Sequence, residues 1–241
     1  MSRYNGGTSY ASGPAPVTAW GFSAMFWIQY VTGFTLYQLN IGNNSDLASC
    51  WATRASNTYL DCNQTSDSGG TASTGLSPLP TVQRAGTGIS GAGNWQCFMN
   101  FADVSRRWCI SGRGGRIVCK NSSSATLSGT TAPFTGLQLG RKDTSANYRY
   151  GQWCYGSAAF WNRELRRAEC ERLVKGEIPL NIRAGLVAYY PMNEAGDTDA
   201  IKEIIGGNNL TVTGTFPVIT REPPIIRRPR RYWNSMVQTA A

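Results

Sequence analysis

The sequence predicts an all-β fold: a two-sheet antiparallel jelly-roll sandwich with one short helix and an extended C-terminal arm. Composition gives the first reason, because 27 Gly and 11 Pro against 15% charged residues describe short strands joined by many turns, not a bundle or a doubly wound sheet. Alternation gives the second. In VTAWGFSAMFWIQYVTGFTLYQLNIG (17–42), Ala19, Gly21, Ser23, Met25 and Trp27 alternate with Trp20, Phe22, Ala24, Phe26 and Ile28. Both sets are largely apolar, the mark of a central strand in a sheet covered on each face or set in an assembly. The third reason is that helical periodicity shows clearly in a single stretch, RELRRAECERLVKG at 163–176. A chain of 241 residues can bury one sizeable core, so the expected organisation is a sandwich over 1–216 and a Pro/Arg-rich arm over 217–241.

A turn at Thr32–Gly33 divides the first segment into two strands, and SCWATRASNTYLDCN (49–63) follows. From Gln64 to Gly93 apolar residues thin to Leu76, Leu79, Val82 and Ile89, so a long surface excursion is expected there. Two or three strands fall in 94–120: NWQCFMNF alternates, a turn at Asp103–Ser105 leads into RRWCIS, and GRGG, with Gly where positive φ is needed, returns through RIVCK. TGLQLGRK (135–142) and QWCYGSAAFW (152–161) add two more. The helix then ends at Gly176, a residue suited to a left-handed C′ position. Strands at 185–191 and 209–213 bring the expected total to ten or eleven.

On the helix, Leu165, Ala168, Leu173 and Val174 make one apolar stripe, and Arg163, Arg166, Arg167, Glu169, Glu171, Arg172 and Lys175 take the wetter side. The stripe reads as a lid over an open sheet end. The alternative, that Glu164, Glu169 and Glu171 are catalytic carboxylates, gives way because a charged helix face is ordinarily a solvated one.

There is no histidine, which excludes imidazole bases, His-based triads and two-His metal sites. No apolar run approaches the roughly 20 residues needed to span a bilayer, and MSRYNGGTSY lacks the basic and apolar regions of an export signal. A chain neither inserted in a membrane nor exported is therefore expected, and its seven cysteines, without CxxC spacing, read as buried reduced thiols. A cross-strand Cys97/Cys109 disulfide is the alternative. The net charge of +9 favours acidic partners, and residues 221–241 hold five arginines against one glutamate.

GNWQCFMNFADVSRRWCISGRGG resembles the strand pair of laminin G-like jelly rolls, in which a Trp after Gly-x opens one strand. LQLGRK resembles the strand before their closing turn, and YGSAAFWNRELRRAECERLVKGEIP their closing strand plus helix. GLVAYYPMNEAGD with GGNNLTVTG resembles a hallmark stretch of the concanavalin A-like lectin/glucanase superfamily, so the resemblance covers residues 94–214. One departure is that LVAYYP (186–191) follows the helix instead of opening the domain. Hydrolases of the superfamily carry paired carboxylates in an E-x-D-x-x-E arrangement, which is absent here. The resemblance thus implies a module that is not an enzyme and uses no cofactor.

With its PPII-R-P-R ending the chain is also similar to structural proteins of tailed bacteriophages. That resemblance implies a virion decoration or cement protein, made in the host cytoplasm. Its partners would be the major capsid or another virion protein and further copies of itself around a local symmetry axis, with no membrane involved. The arm REPPIIRRPRRYWNSMVQTAA is expected to be extended, with Arg227, Arg228, Arg230, Arg231, Tyr232 and Trp233 as partner-binding residues. A merely solubilising tail is the bland reading. A nucleic-acid role lacks any nucleic-acid module.

The alternative function is a carbohydrate-binding, lectin-like adhesion module on a virion or cell surface, with eight Trp and eleven Tyr available to stack on sugars and 64–93 to frame a groove. Trp20, Phe22, Trp27, Trp95, Trp108 and Trp161, at alternating positions, read as core instead. In NEAGDTD (193–199), Glu194, Asp197 and Asp199 cluster as calcium-ligand candidates, but a hard cation wants about six oxygens or more, and a plain polar turn is the competing reading.

Overall fold

The computed structural model describes residues 2–4, 8–33, 35–40, 49–56, 59–65, 71–76, 95–113, 115–123, 133–143, 148–219 and 223. In chain order its strands are β1 (Ser2–Tyr4), β2 (Tyr10–Pro14), β3 (Phe22–Gly33), β4 (Thr35–Asn40), β5 (Ser49–Ser56), β6 (Tyr59–Thr65), β7 (Thr71–Leu76), β8 (Gln96–Ala102), β9 (Arg107–Arg113), β10 (Arg116–Ser123), β11 (Gly136–Leu139), β12 (Arg141–Asp143), β13 (Tyr148–Trp161), β14 (Leu186–Tyr190), β15 (Thr211–Thr213) and β16 (Val218–Ile219). One α-helix, α1 (Arg167–Val174), and a 3-10 turn at Pro179–Asn181 lie between β13 and β14.

All pairings are antiparallel and they make two sheets. The larger runs β10-β9-β8-β3-β13-β1-β16, with β12 and β14 also on β13, and the smaller runs β15-β2-β11-β4-β5-β6-β7. This is the expected sandwich.

β3 shows why both of its faces are apolar. Phe22, Ala24, Phe26 and Ile28 point between the sheets, where Phe26 stacks on Tyr37 with ring centroids 4.7 Å apart and meets Phe160 edge-on. Met25 and Trp27 point the other way, into a second apolar cluster with Met99, Ile110, Trp161 and Leu173. Helix α1 covers that outer face, and so is not the lid over a sheet end that its stripe suggested. The face needs cover because alternate residues of β3, β8, β9 and β13 make it apolar.

The helix buries Cys170, Leu173 and Val174, with Leu165 just ahead of it, whereas Ala168 is exposed. Cys170 replaces Ala168 on the stripe because it lies one turn before Leu173 and Val174. A Cβ at Gly112 would lie 2.4 Å from Val174 Cγ2, so β9 must carry glycine there for the end of α1 to lie flush. Gly176 follows at φ 89°, the left-handed terminator expected from the sequence. Trp161 closes the segment from below by donating its indole N–H to the Ile182 carbonyl at 2.8 Å.

Several expectations change. Residues 71–76 form β7, so the stretch after Gln64 is not all excursion; 77–94 lie outside the described residues. TGLQLGRK is two strands, since Gly140 at φ 78° lets the chain leave the smaller sheet after β11 and join β13 as β12. β1, β2 and β16 had no counterpart in the sequence reading. Trp27, Trp108 and Trp161 are buried as expected, while Trp20 and Trp95 are only half-buried.

Cys97, Cys154 and Cys170 are buried and outside any disulfide, as expected of reduced thiols. Cys109, in contrast, is disulfide-bonded. Its bond is not the Cys97 pairing considered above, because Cys97 stands opposite Gly112 and faces α1, whereas Cys109 faces the space between the sheets. Burial, and secondarily Cys170, push the Cys97 thiol well above its ordinary pKa.

Candidate ligand-binding groove

The segment that leads from β13 into α1 is fixed by charge pairs. Arg163 forks onto Glu169 at 2.7 and 2.8 Å, and Glu169 also accepts the Arg166 N–H at 2.7 Å. The Arg163 hydrogen bonds are the main reason the Glu169 carboxyl sits below its usual range. That pair therefore stabilises the segment above the ordinary carboxylate pKa and gives up its contribution as the pH falls through the depressed value. Arg167 pairs with Glu171 one turn on, at 2.9 Å. Glu164 accepts the Trp108 indole N–H at 2.8 Å and pairs with Arg106, whose guanidinium lies 5.4 Å from the centre of the Phe101 ring. The three glutamates considered as catalytic carboxylates are thus each tied to a named arginine.

Between this segment and the outer face of β9 and β10 lies a groove of about 810 Å³. Trp108, Ile110 and Ile117 form its apolar wall, Arg106, Arg166 and Arg167 its cationic rim, and Glu164 is the one carboxylate among the described residues of its lining. The Arg166 side chain is exposed and makes no ion pair among the described residues. Volume and lining fall in the range of small-ligand sites. Sequence reasoning missed this groove, because RRW at 106–108 and RELRR at 163–167 meet only through packing.

The strand register of the smaller sheet is continuous from β15 to β7, and Gln38 and Gln138 within it are buried. Register places Thr211, Ser12, Gln138, Gln38, Trp51, Asn63 and Ser73 in one row across its strands. One step along, Arg141 stacks over the Tyr10 ring at 4.1 Å.

The calcium candidates have another role. Glu194 is buried and its Oε1 accepts the Lys202 N–H at 2.8 Å; Asp199 accepts the Gly196 N–H at 2.8 Å, and Asp197 the Val218 N–H at 3.0 Å. The cation among them is Arg3. Among the described residues no group of three or more His, Cys, Asp or Glu is placed to hold a metal. The predicted partner-binding residues Arg227, Arg228, Arg230, Arg231, Tyr232 and Trp233 lie outside the described residues. The root of their arm does not: Pro223 is buried on β13, where a Cβ at Gly156 would lie 2.4 Å from the proline Cγ.

Two facing antiparallel sheets of this order define a jelly-roll sandwich. Among solved structures the chain is similar to a protein from Bacteroides ovatus ATCC 8483 described as carbohydrate-binding, at 15% identity and a TM-score of 0.59, over 92% of this chain and 61% of that one. The chain therefore spans about three fifths of that protein's length. A heptameric SAP-like pentraxin from Limulus polyphemus aligns at 9% identity and a TM-score of 0.48, over 72% of this chain and 81% of the pentraxin. The enzymatically active domain of tailspike protein 2 from bacteriophage CBA120 aligns at 11% identity and 0.47, over 76% and 28%. At such identities the likeness is one of fold. No family model and no curated protein sequence matches the chain.

Proposed function

We propose that this chain is a carbohydrate-binding, lectin-like module without catalysis, and that its glycan lies in the groove beside the start of α1. The observation that carries this reading is the lining itself. Half-buried Ile117, backed by the buried Trp108 and Ile110, gives an apolar floor for the C–H face of a sugar ring, and guanidinium donors and a carboxylate acceptor stand at its edge to meet hydroxyls. Among the described residues the lining holds a single carboxylate, which supports binding over hydrolysis, since a glycosidase needs two flanking the scissile bond. Immobilised glycans should retain the wild-type chain saturably, and Ile117→Trp, which fills the groove from β10, should lower retention at least tenfold while leaving the melting temperature unchanged. Full retention by that variant would move the site elsewhere; failure of every glycan to retain the wild type would end the reading.

Placement of the module on a virion, as a decoration or cement protein, is a second reading, favoured by the cationic arm. The arm would lie across an acidic capsid or tail surface and leave the sandwich projecting. Because Pro223 is seated against Gly156, the informative truncation falls after Pro224. The shortened chain should keep its melting temperature yet no longer cosediment with virions in fixed stoichiometry, and cosedimentation at full occupancy would count against the arm.

A further inference from the structure

We infer that the groove selects acidic glycans, binding a carboxylate- or sulfate-bearing sugar through Arg166 and Arg167 against the apolar wall; this rests on the carbohydrate-binding reading of the same groove. The inference comes from the charge balance of the groove's rim, in which Arg106, Arg166 and Arg167 stand against Glu164, the one carboxylate among the described lining residues.

That carboxylate is already engaged by the Trp108 N–H and by Arg106. Arg163, just ahead of the lining residues Glu164 and Leu165, is held by Glu169. Arg166 is left exposed with no ion pair among the described residues, its charge being felt by Glu169, which Arg163 already holds. Arg167, with its side chain 85% exposed, is held by Glu171 in an i,i+4 pair of the kind that contributes little in water. It can therefore transfer to a ligand at small cost.

A neutral sugar settling on the wall would take water from these guanidiniums and return only hydroxyl contacts. A sugar acid returns a charge-assisted fork from each arginine, whose planar donors match a carboxylate or sulfate. The wall in turn explains why the ligand is a sugar acid and not a bare anion, because half-buried Ile117 and the aliphatic stems of Arg166 and Arg167 have apolar surface to cover.

The test is calorimetric titration of the full chain with trigalacturonate, with its methyl ester, which is the same trisaccharide without charge, and with an oligoglutamate of equal charge. The free acid should bind about tenfold or more tighter than the ester. Arg166→Gln should remove that advantage by weakening the acid far more than the ester, while Lys202→Gln, exposed and remote from the lining, should change neither. Added salt should weaken the acid alone. If the ester binds as tightly as the acid and Ile117→Trp abolishes both, the groove holds sugars without selecting charge, and this inference falls while the lectin reading stands. Oligoglutamate binding as well as the uronate would show a site that reads charge alone and also overturns it. Absence of binding by acid and ester alike removes both readings.

Discussion

Arg3→Met is expected to lower the stability of the folded chain by about 3–5 kcal/mol, the usual cost of removing one partner from a buried ion pair. The Arg3 side chain has no exposed surface, and Glu194, 3.6 Å away, is only 3% exposed. The guanidinium also donates to the Phe216 carbonyl at 2.7 Å and to those of Asp197 and Asp199 at 3.2 and 3.4 Å. One side chain from the first strand thus ties down the C-terminal stretch that supplies β16, β1's other neighbour in the larger sheet. Burial pulls its pKa below the ordinary guanidinium value, against the opposite pull of Glu194, Asp199 and Asp197, which marks how fully the charge depends on those neighbours. Methionine keeps the length and leaves the Glu194 carboxylate buried without its cation. Urea denaturation should show the loss, and the double variant Arg3→Met/Glu194→Gln should recover part of it, since removing both charges avoids the uncompensated one. A single variant within about 1 kcal/mol of wild type, or a double variant no better than the single, would mean that the clamp is not electrostatic.

Why the sequence could not disclose that clamp is instructive about the rest. β3, β8 and the helix were legible because their signal is local: Phe22 to Ile28 alternate within one strand, and Leu165, Leu173 and Val174 recur at helical spacing. The terminator at Gly176 was legible for the same reason. Ser2–Tyr4 has no pattern of its own and is a strand only because β13 and β16 flank it; likewise TASTGL becomes β7 by pairing with β6. Short polar strands such as these take their conformation from the strands they pair with, not from a pattern of their own. Ala168 was placed on the buried stripe by composition, though the true spacing belongs to Cys170. The groove escaped for a topological reason, because its two halves are about fifty-seven residues apart and the glutamate joining them, Glu164, looks in sequence like one more charge on a solvated helix. The cationic arm was the opposite case, conspicuous in composition, and its arginines lie outside the described residues.

Glu203→Ala is expected to cost about 3–5 kcal/mol, because one nearly buried carboxylate organises the turn after β14 by accepting four backbone N–H groups. Its Oε1 takes those of Tyr189 and Ile205 at 2.8 and 2.7 Å, and its Oε2 takes Gly206 and, at 2.5 Å, Gly207. Apolar burial does not hold this turn, since Ile204 and Ile205 are 49% and 45% exposed. The contact to Tyr189, with the Ile204 N–H on the Tyr189 carbonyl at 3.1 Å, also occupies backbone groups of β14, which has β13 as its strand partner. Burial and then the Glu203 charge push the neighbouring Tyr190 phenol above its usual pKa, so this charge is felt inside the sheet. Glu203→Gln separates charge from shape: it keeps the volume, but its NH2 must face two N–H groups where an oxygen stood, and it should lose most of what alanine loses. Hydrogen exchange should quicken at Tyr189, Ile205, Gly206 and Gly207 in both variants ahead of the rest of β14, because the turn opens before the sheet does. Unchanged protection at these four amides, or a glutamine variant as stable as wild type, would show that packing and not the carboxylate shapes the turn.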